Sequence, residues 1–208
     1  MPARSPMAHP APFFPAPPPG LWQHRSWLVR AIGRTYFRLS GWRIEGQFPP
    51  CSKFVAIVVP HTSNWDFPLG LCLLFGSGLK ASWLGKHTLF NGFWGPTLRR
   101  LGGIPVDRSA PKGLVGECVQ AFESTDALLL AIAPEGTRKG PSRWRTGFYQ
   151  IAAGAKVPIF PVAFDYADHC IHFLEPFTPT GDTEADLAHL QGLFRFAKGL
   201  RERPSERA

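Results

Sequence analysis

A histidine and an aspartate five positions apart form the first candidate pair for chemistry in this sequence. His61 and Asp66 lie in a polar segment that directly follows an apolar run. A carboxylate that holds one ring nitrogen of a histidine leaves the other nitrogen to accept a proton, and an ordinary histidine pKa of about 6.5 suits that role near neutral pH. The pair therefore predicts a general base, as an alcohol attacking a thioester needs. The structural alternative is a helix N-cap formed by Thr62, Ser63 or Asn64.

Two further segments carry cations that suit an anionic substrate. Arg108 follows the short apolar stretch 103–106, and an arginine can hold a phosphate through paired hydrogen bonds. In the segment 134–139, Gly136 lets the backbone approach a ligand closely. Glu135 could orient Arg138 or bind a substrate hydroxyl. The donors that this segment offers to an anion are Thr137, Arg138 and Lys139. Each segment could also be an ordinary surface turn.

The apolar segment 157–164 has no ionisable side chain and therefore cannot catalyse. It could line a pocket for an acyl chain, but a buried core strand is the favoured interpretation. Similar apolar runs at 54–59 and 128–133 have the length and composition of strands buried on both faces. In open α/β sheets, ligand sites gather at the carboxyl ends of strands, which is where the polar segments of this chain occur.

The remaining pattern alternates between predicted strands and helices. It predicts an α/β fold with a mostly parallel central sheet flanked by helices. Further strands are expected at 42–48 as an edge strand, 81–84, 103–106 and 171–177, with a glycine-rich connection between the second and third of these. Helices are expected at 67–79, 114–124, 148–155 and 184–201, the last of them amphipathic.

The N-terminal region divides into two parts. Residues 1–20 contain eight prolines and little core-forming material, which predicts a disordered leader. Residues 21–40 predict a basic amphipathic helix, whose arginines mostly fall away from an apolar stripe that includes Trp27, Leu28 and Ile32. Such a helix is typical of a membrane surface. The alternative is a helix that packs on the domain and keeps its arginines in solvent.

Composition narrows the class of partner and compartment. The 208 residues, 44% of them hydrophobic, suffice for one domain with a core, and the net charge of +8 points to an anionic partner. No nucleic-acid-binding signature occurs, which favours a membrane surface or a phosphorylated substrate as the anionic partner.

The four cysteines are widely spaced, without a C-x-x-C pair. We therefore expect a reducing compartment, and we expect neither a disulfide framework nor a zinc site. No apolar run reaches eighteen residues, so no transmembrane helix is expected.

Taken together, the four segments resemble the glycerophospholipid acyltransferases, the 1-acylglycerol-3-phosphate and glycerol-3-phosphate acyltransferases. Segment 61–66 matches that family's His-x-Ser-x-x-Asp block, and 103–108 resembles its second block, which ends in arginine. Segment 134–138 matches the Pro-Glu-Gly-Thr-Arg block, and 157–164 matches Val-Pro-Ile-x-Pro-Val. The order of the four blocks carries the resemblance. Segment 143–149 is typical of small members. Pro60 and Ala133 replace the family's common Asn and Phe, which leaves acceptor identity and acyl-pocket shape open.

The resemblance implies a function and roles for the site residues. His61 would be the general base, oriented by Asp66, in an acyltransferase domain spanning 41–208. The acceptor's glycerol-phosphate part would be bound by Arg108, Glu135, Gly136, Thr137 and Arg138, and backbone amides near Gly136 are candidate oxyanion donors. Acyl-CoA or acyl-acyl carrier protein would be the donor, with no bound cofactor and no metal. We expect a cytoplasmic protein, peripheral on the inner face of the cell membrane, with lipid and possible carrier-protein partners.

Two rival functions remain open on the sequence. A non-catalytic lipid-binding protein of the membrane surface would need neither His61 nor Asp66. An acyl thioesterase would pass the acyl group to water, whereas Arg108 and Arg138 favour a phosphorylated acceptor. The acceptor lipid, the donor carrier and the preferred chain length are not specified by these residues.

Overall fold

A seven-stranded, mostly parallel sheet lies at the centre of the protein, as the alternating pattern predicted. The computed structural model describes residues 14–23, 26–106, 113–136 and 144–201. Within them the strand order is β1-β7-β6-β2-β5-β3-β4, and only the β6–β7 pair is antiparallel. Along the chain the elements are α1 (Trp27–Ser40), β1 (Arg43–Glu45), β2 (Lys53–Val59), α2 (Asp66–Ser77), β3 (Ser82–Lys86), a 3-10 helix (His87–Phe90), α3 (Gly95–Arg100), β4 (Gly103–Val106), α4 (Leu114–Glu123), β5 (Leu128–Ile132), α5 (Gly147–Ala155), β6 (Ile159–Asp165), β7 (Cys170–Phe173) and α6 (Thr183–Gly192).

Strand β2 occupies the middle of the sheet because it is apolar on both faces. It pairs in parallel with β5 on one side and β6 on the other. Side chains alternate between faces along a strand, so Phe54 enters the core that also contains α2, whereas Ile57 enters the core against α5. Both side chains are fully buried. The sheet is thus covered by helices on its two faces.

The N-terminal region departs from the predicted leader and helix. Residues 14–20, assigned to a disordered leader, pack on the domain, with the ring of Phe14 lying edge-on to that of Phe37 at 5.0 Å. Residues 1–13 lie outside the described residues. Helix α1 begins at Trp27 rather than near residue 21, because the backbone at 21–23 bonds instead to the segment after α2: Gln23 N donates to Gly78 O at 2.8 Å and Lys80 N donates to Leu21 O at 2.7 Å.

Helix α1 packs on the domain and exposes several large apolar side chains. Its buried residues are Gly33 and Phe37. Arg34 turns towards α2, where its Nε donates to Gly76 O at 3.1 Å. At the surface lie large apolar side chains, among them Trp27, 77% exposed, and Leu39, 81% exposed. The helix thus packs on the domain with Arg34 and Arg38 exposed, as the second alternative has it, and its apolar stripe lies at the surface as well.

Two further elements differ from the predictions. The expected C-terminal helix ends at Gly192, and the chain continues as an irregular strap, residues 193–201. The strap bonds to the end of β6, since Tyr166 N donates to Lys198 O at 2.9 Å, and such backbone pairing is incompatible with a continued helix. The predicted glycine-rich connection after β3 contains the 3-10 helix and α3.

Candidate active site

The polar segments meet at one edge of the sheet. Strands β6, β2 and β5 are adjacent and parallel, and Val59, at the end of β2, is in register with Ala163 of β6. Their carboxyl ends therefore lie side by side, which brings the segments that follow the three strands together. The site is formed by contacts among these segments and α2.

His61 and Asp66 form the predicted pair. His61 Nδ1 lies 2.9 Å from Asp66 Oδ2, and the two side chains are 22% and 3% exposed. The turn between them is held by Ser63, whose backbone N donates to Asp66 Oδ2 at 2.9 Å and whose hydroxyl accepts from Trp65 N at 3.1 Å. The residue at the N-cap position of α2 is Trp65, which makes no side-chain capping bond, but the Ser63 hydroxyl caps the turn that leads into the helix. The helix-cap alternative therefore holds in part, for Ser63, together with the His61–Asp66 contact.

A tyrosine that the sequence analysis did not identify completes the contacts of the aspartate. Tyr166 follows the end of β6, and its hydroxyl donates to Asp66 Oδ1 at 2.7 Å. Burial and the neighbouring Asp66 carboxylate raise the pKa of Tyr166, so the phenol keeps its proton and remains a donor. The ring of Trp42 lies edge-on to Tyr166 at 5.0 Å. The Asp66 carboxylate is thereby fixed from three directions.

Glu135 makes a contact that the sequence analysis did not predict. Its side chain is buried, 3% exposed, and Oε2 accepts a hydrogen bond from His61 N at 2.8 Å. A charge-assisted bond of this kind contributes roughly 1.5–3 kcal/mol. This contact holds the His61 backbone and links the turn after β5 to the turn after β2.

Gly136 is required by the conformation of that turn and by a neighbour. Its φ is +64°, and a Cβ added there would lie 2.9 Å from Nε of Arg145. The Gly136 amide donates to Ala133 O at 3.2 Å. This amide is thus engaged in the turn, and the oxyanion donors expected among the amides near Gly136 stay a prediction.

Arg145 is a second residue that the motif-based analysis did not single out. Its backbone N donates to Pro134 O at 2.8 Å, and its side chain lies against Gly136 at the surface of the protein. The predicted anion ligands Arg108, Thr137 and Arg138 lie outside the described residues. The strand before Arg108, β4, is separated from β2 by β5 and β3. A cation beside the 134–136 turn is therefore supplied, among described residues, by Arg145.

The sequence model of the Acyltransferase family matches residues 43–165. That range is more than half of the chain and contains His61, Asp66 and Glu135. The chain belongs to the acyltransferase family. No curated protein is significantly similar to the chain in sequence.

A solved structure has the same fold as this acyltransferase. It is the 1-acyl-sn-glycerophosphate (LPA) acyltransferase PlsC from Thermotoga maritima, with a TM-score of 0.54 and 18% sequence identity. The match covers 81% of this chain and 76% of that one. It confirms the predicted α/β architecture.

The C-terminal strap of this acyltransferase lies against the His61 turn. Arg201 N donates to Thr62 Oγ1 at 3.4 Å, and a Cβ at Gly199 would overlap the Thr62 side chain. Thr62 and Ser63 are both buried, at 4% and 1% exposure. The His61 turn is thus covered on one side by the strap.

Strand β6, which was predicted to be a core strand, is buried along its whole length.

The sequence predicted neither a zinc site nor a transmembrane helix. In the described parts of the chain, one group of three possible ligands occurs, formed by Glu45, Cys170 and His172 on the β1–β7 pair. Glu45 already pairs with Arg43, Nε to Oε1, at 2.9 Å. Among the helices described, none combines the length and apolarity needed to cross a bilayer.

Proposed function

We propose that this acyltransferase moves a fatty acyl group from a thioester to the hydroxyl of a lysophospholipid or glycerol-phosphate-type acceptor. Family membership supports acyl transfer, and PlsC, whose fold the chain shares, is named for an acceptor of this class. The observation that carries the proposal is the 2.9 Å contact between His61 Nδ1 and Asp66 Oδ2. It prepares an imidazole whose Nε2 can act as a base.

The reaction would proceed by general-base catalysis. With Nδ1 held by Asp66, His61 Nε2 removes the proton from the acceptor hydroxyl as that oxygen attacks the thioester carbonyl. The tetrahedral intermediate collapses, the carbon–sulfur bond breaks, and the thiolate takes the proton back from His61. Tyr166 and Ser63 hold Asp66 as the carboxylate that stabilises the transient imidazolium.

The acceptor phosphate would bind beside the turn that follows β5. Arg108, Thr137 and Arg138 are the proposed ligands, and the position of Arg145 against Gly136 adds a fourth cationic or polar group. Holding the phosphate there places the hydroxyl against His61, which lowers the entropic part of the barrier. Glu135 would act through the His61 backbone rather than on the acceptor.

The donor would be acyl-CoA or acyl-acyl carrier protein, and the chemistry needs neither a bound cofactor nor a metal ion. An acyl-transfer assay with each donor against a panel of lyso-acceptors, read by mass spectrometry, tests the activity. Measuring acyl release with and without acceptor separates a transferase from a thioesterase. Release that is independent of every acceptor would contradict the proposal.

We further propose that α1 binds the inner surface of the cell membrane, so that the cytoplasmic enzyme reaches a lipid acceptor. Trp27, Leu28 and Leu39 are all more than half exposed, and Arg38 is exposed on the same helix. Apolar side chains and arginines together favour an anionic bilayer surface.

Surface substitutions test this docking without removing the core contacts of α1. The double variant Trp27→Ser, Leu39→Ser should partition about tenfold or more weakly onto anionic vesicles, because each buried apolar side chain contributes roughly 1.5–3 kcal/mol. The control is Phe93→Ser, since Phe93 is 88% exposed in the segment before α3. Equal flotation of the double variant and the wild type, or a loss confined to Phe93→Ser, would contradict docking through α1.

A further inference from the structure

A cavity of about 490 Å³ lies where α1 crosses the C-terminal end of α2. Its apolar walls include Phe14, Pro15 and Trp22, and its polar lining consists of Arg30, Arg34 and Ser77. Asp66 and Ser77 are the two ends of α2, eleven residues apart, so the cavity is roughly 16 Å from the His61 site along the helix axis. It is therefore separate from the proposed acceptor site.

Two polar groups of this cavity lack the hydrogen bonds that buried groups normally make. Within the described part of the chain, Arg30 Nε and Ser77 Oγ are buried without a hydrogen-bond partner. Ser77 as a whole is only 3% exposed. Leaving a buried donor unpaired costs about 1–3 kcal/mol, and native structures contain few such groups. Two of them facing one cavity point to a ligand that supplies the missing acceptors.

The helix end itself explains one of the two arginines. Arg34 Nε donates to Gly76 O at 3.1 Å, and its guanidinium lies 5.6 Å from the centre of the Phe14 ring. Cations near a helix C-terminus are stabilised by the helix dipole. That role accounts for Arg34 but leaves Arg30 Nε and the Ser77 hydroxyl unpaired.

The lining defines the chemistry of the ligand. Two guanidinium groups and a hydroxyl are donors, and the described residues that line the cavity include no carboxylate. Guanidinium forks suit phosphate oxygens. The aromatic and proline walls accept an apolar portion next to the anion, and the same helix carries exposed Trp27, Leu28 and Ile32 on its surface. An anionic head attached to an apolar body satisfies all of these features.

We propose that this cavity, the headgroup pocket, binds the phosphate group of an anionic phospholipid. The phosphate oxygens accept hydrogen bonds from Arg30 and Ser77, and the lipid body continues along the apolar walls towards the bilayer on which α1 lies. The pocket would hold the enzyme on the membrane through a lipid that is not the substrate. Lipid binding at this pocket can be tested without measuring acyl transfer, and its failure would leave the proposed reaction unaffected.

Binding of a short-chain lipid to the full chain tests the pocket. Dihexanoyl phosphatidic acid below its micellar concentration should bind the wild type saturably in isothermal titration calorimetry. Arg30→Gln should weaken this binding about tenfold to a hundredfold and Ser77→Ala about threefold to tenfold, from the loss of one hydrogen bond each. The matched control Arg195→Gln removes the same charge from an exposed position outside both the pocket and α1 and should change affinity less than about twofold.

A second arm distinguishes the source of the phosphate. Inorganic phosphate should bind at least tenfold more weakly than the lipid, because it leaves the apolar walls uncovered. Equal affinity for inorganic phosphate would show a free-anion site and overturn the lipid assignment. Equal affinity of Arg30→Gln and Arg195→Gln for the lipid would place binding elsewhere, for example at the acceptor site.

The melting temperature of a ligand-free variant distinguishes a ligand-binding Arg30 from one that only stabilises the fold. Arg30→Met keeps the side-chain length and removes the unpaired buried donor. If Arg30 binds the lipid, this variant should melt at the same temperature as the wild type or higher. Added lipid should raise the melting temperature of the variant far less than that of the wild type. A clear drop in the melting temperature of ligand-free Arg30→Met would show that Arg30 is structural and would contradict the proposal.

Discussion

Two buried carboxylates of this acyltransferase are held in nearly the same way. Asp66 accepts from the backbone N of Ser63 and the hydroxyl of Tyr166, at 2.9 and 2.7 Å. Asp186, in α6, accepts from Thr180 N and the hydroxyl of Tyr149, both at 2.7 Å. Each aspartate is 4% exposed.

The difference between the two regions lies in what else the carboxylate contacts. Asp186 accepts a further bond from the Thr180 hydroxyl at 2.8 Å, which closes a local turn before α6. Asp66 instead contacts a histidine that is partly accessible to solvent. At Asp186, the bonds from a tyrosine and a backbone amide serve the structure alone. At Asp66, the same kinds of bond hold a carboxylate that also contacts a histidine, an arrangement suited to proton transfer.

Replacing each aspartate by asparagine gives the largest expected contrast. Both variants lose an acceptor for buried donors and should be destabilised by about 1–3 kcal/mol in denaturant unfolding. Asp66→Asn should also lower turnover about a hundredfold or more, because the tautomer and orientation of His61 are lost, with little change in acceptor KM. Asp186→Asn should retain wild-type turnover while folded. Similar turnover in the two variants would remove the distinction between the regions.

The second contrast concerns the anion ligands proposed beside the Asp66 region. Arg108→Ala and Arg138→Ala should each raise the acceptor KM about tenfold to a hundredfold and change the donor KM much less, since a charge-assisted hydrogen bond is worth roughly 1.5–3 kcal/mol. Arg195→Ala removes an exposed arginine elsewhere and serves as the control. Acceptor kinetics that match the control in both variants would exclude these arginines from the phosphate site.

The smallest expected effect is the difference in turnover between the Tyr166→Phe and Tyr149→Phe variants. Tyr166→Phe removes the donor to Asp66 Oδ1 and should lower turnover about threefold to tenfold, because the carboxylate is less firmly oriented. Tyr149→Phe removes the corresponding donor to Asp186 and should affect thermal stability only. Steady-state kinetics and melting curves on both variants make the comparison. Unchanged turnover in Tyr166→Phe would show that Asp66 is positioned by Ser63 alone.

The sequence predicts the frame of the site better than its contacts. The apolar runs that became β2, β5 and β6 are long enough to identify buried strands, and a polar segment after a buried strand identifies the correct edge of the sheet. The contact from Tyr166 to Asp66 joins residues 100 positions apart, and that from His61 to Glu135 spans 74. Both depend on the order of strands in the sheet, which periodicity along the chain does not encode.

Helix α1 shows a second limit of sequence patterns. Its periodicity predicts an amphipathic helix, and the structure has one, but the pattern does not say which face is buried. Gly33 decides this, because a Cβ there would clash with the backbone of α2 at Cys72 and Gly76. The close crossing brings Arg34 Nε to Gly76 O, with Arg34 as a whole still exposed, and it leaves the apolar stripe at the surface. Gly33, in the middle of the helical pattern, is the residue in the sequence that indicates this close packing.

Acyl transfer by the wild type and by His61→Ala tests the central claim most directly. The wild type should form a diacyl or monoacyl product from a lyso- or glycerol-phosphate acceptor and an acyl thioester, identified by mass spectrometry. His61→Ala should lose about a hundredfold to ten-thousandfold in turnover, because general-base catalysis contributes that much, while its melting curve shows it folded. A folded His61→Ala variant that keeps more than about a tenth of wild-type turnover would show that His61 is not the base.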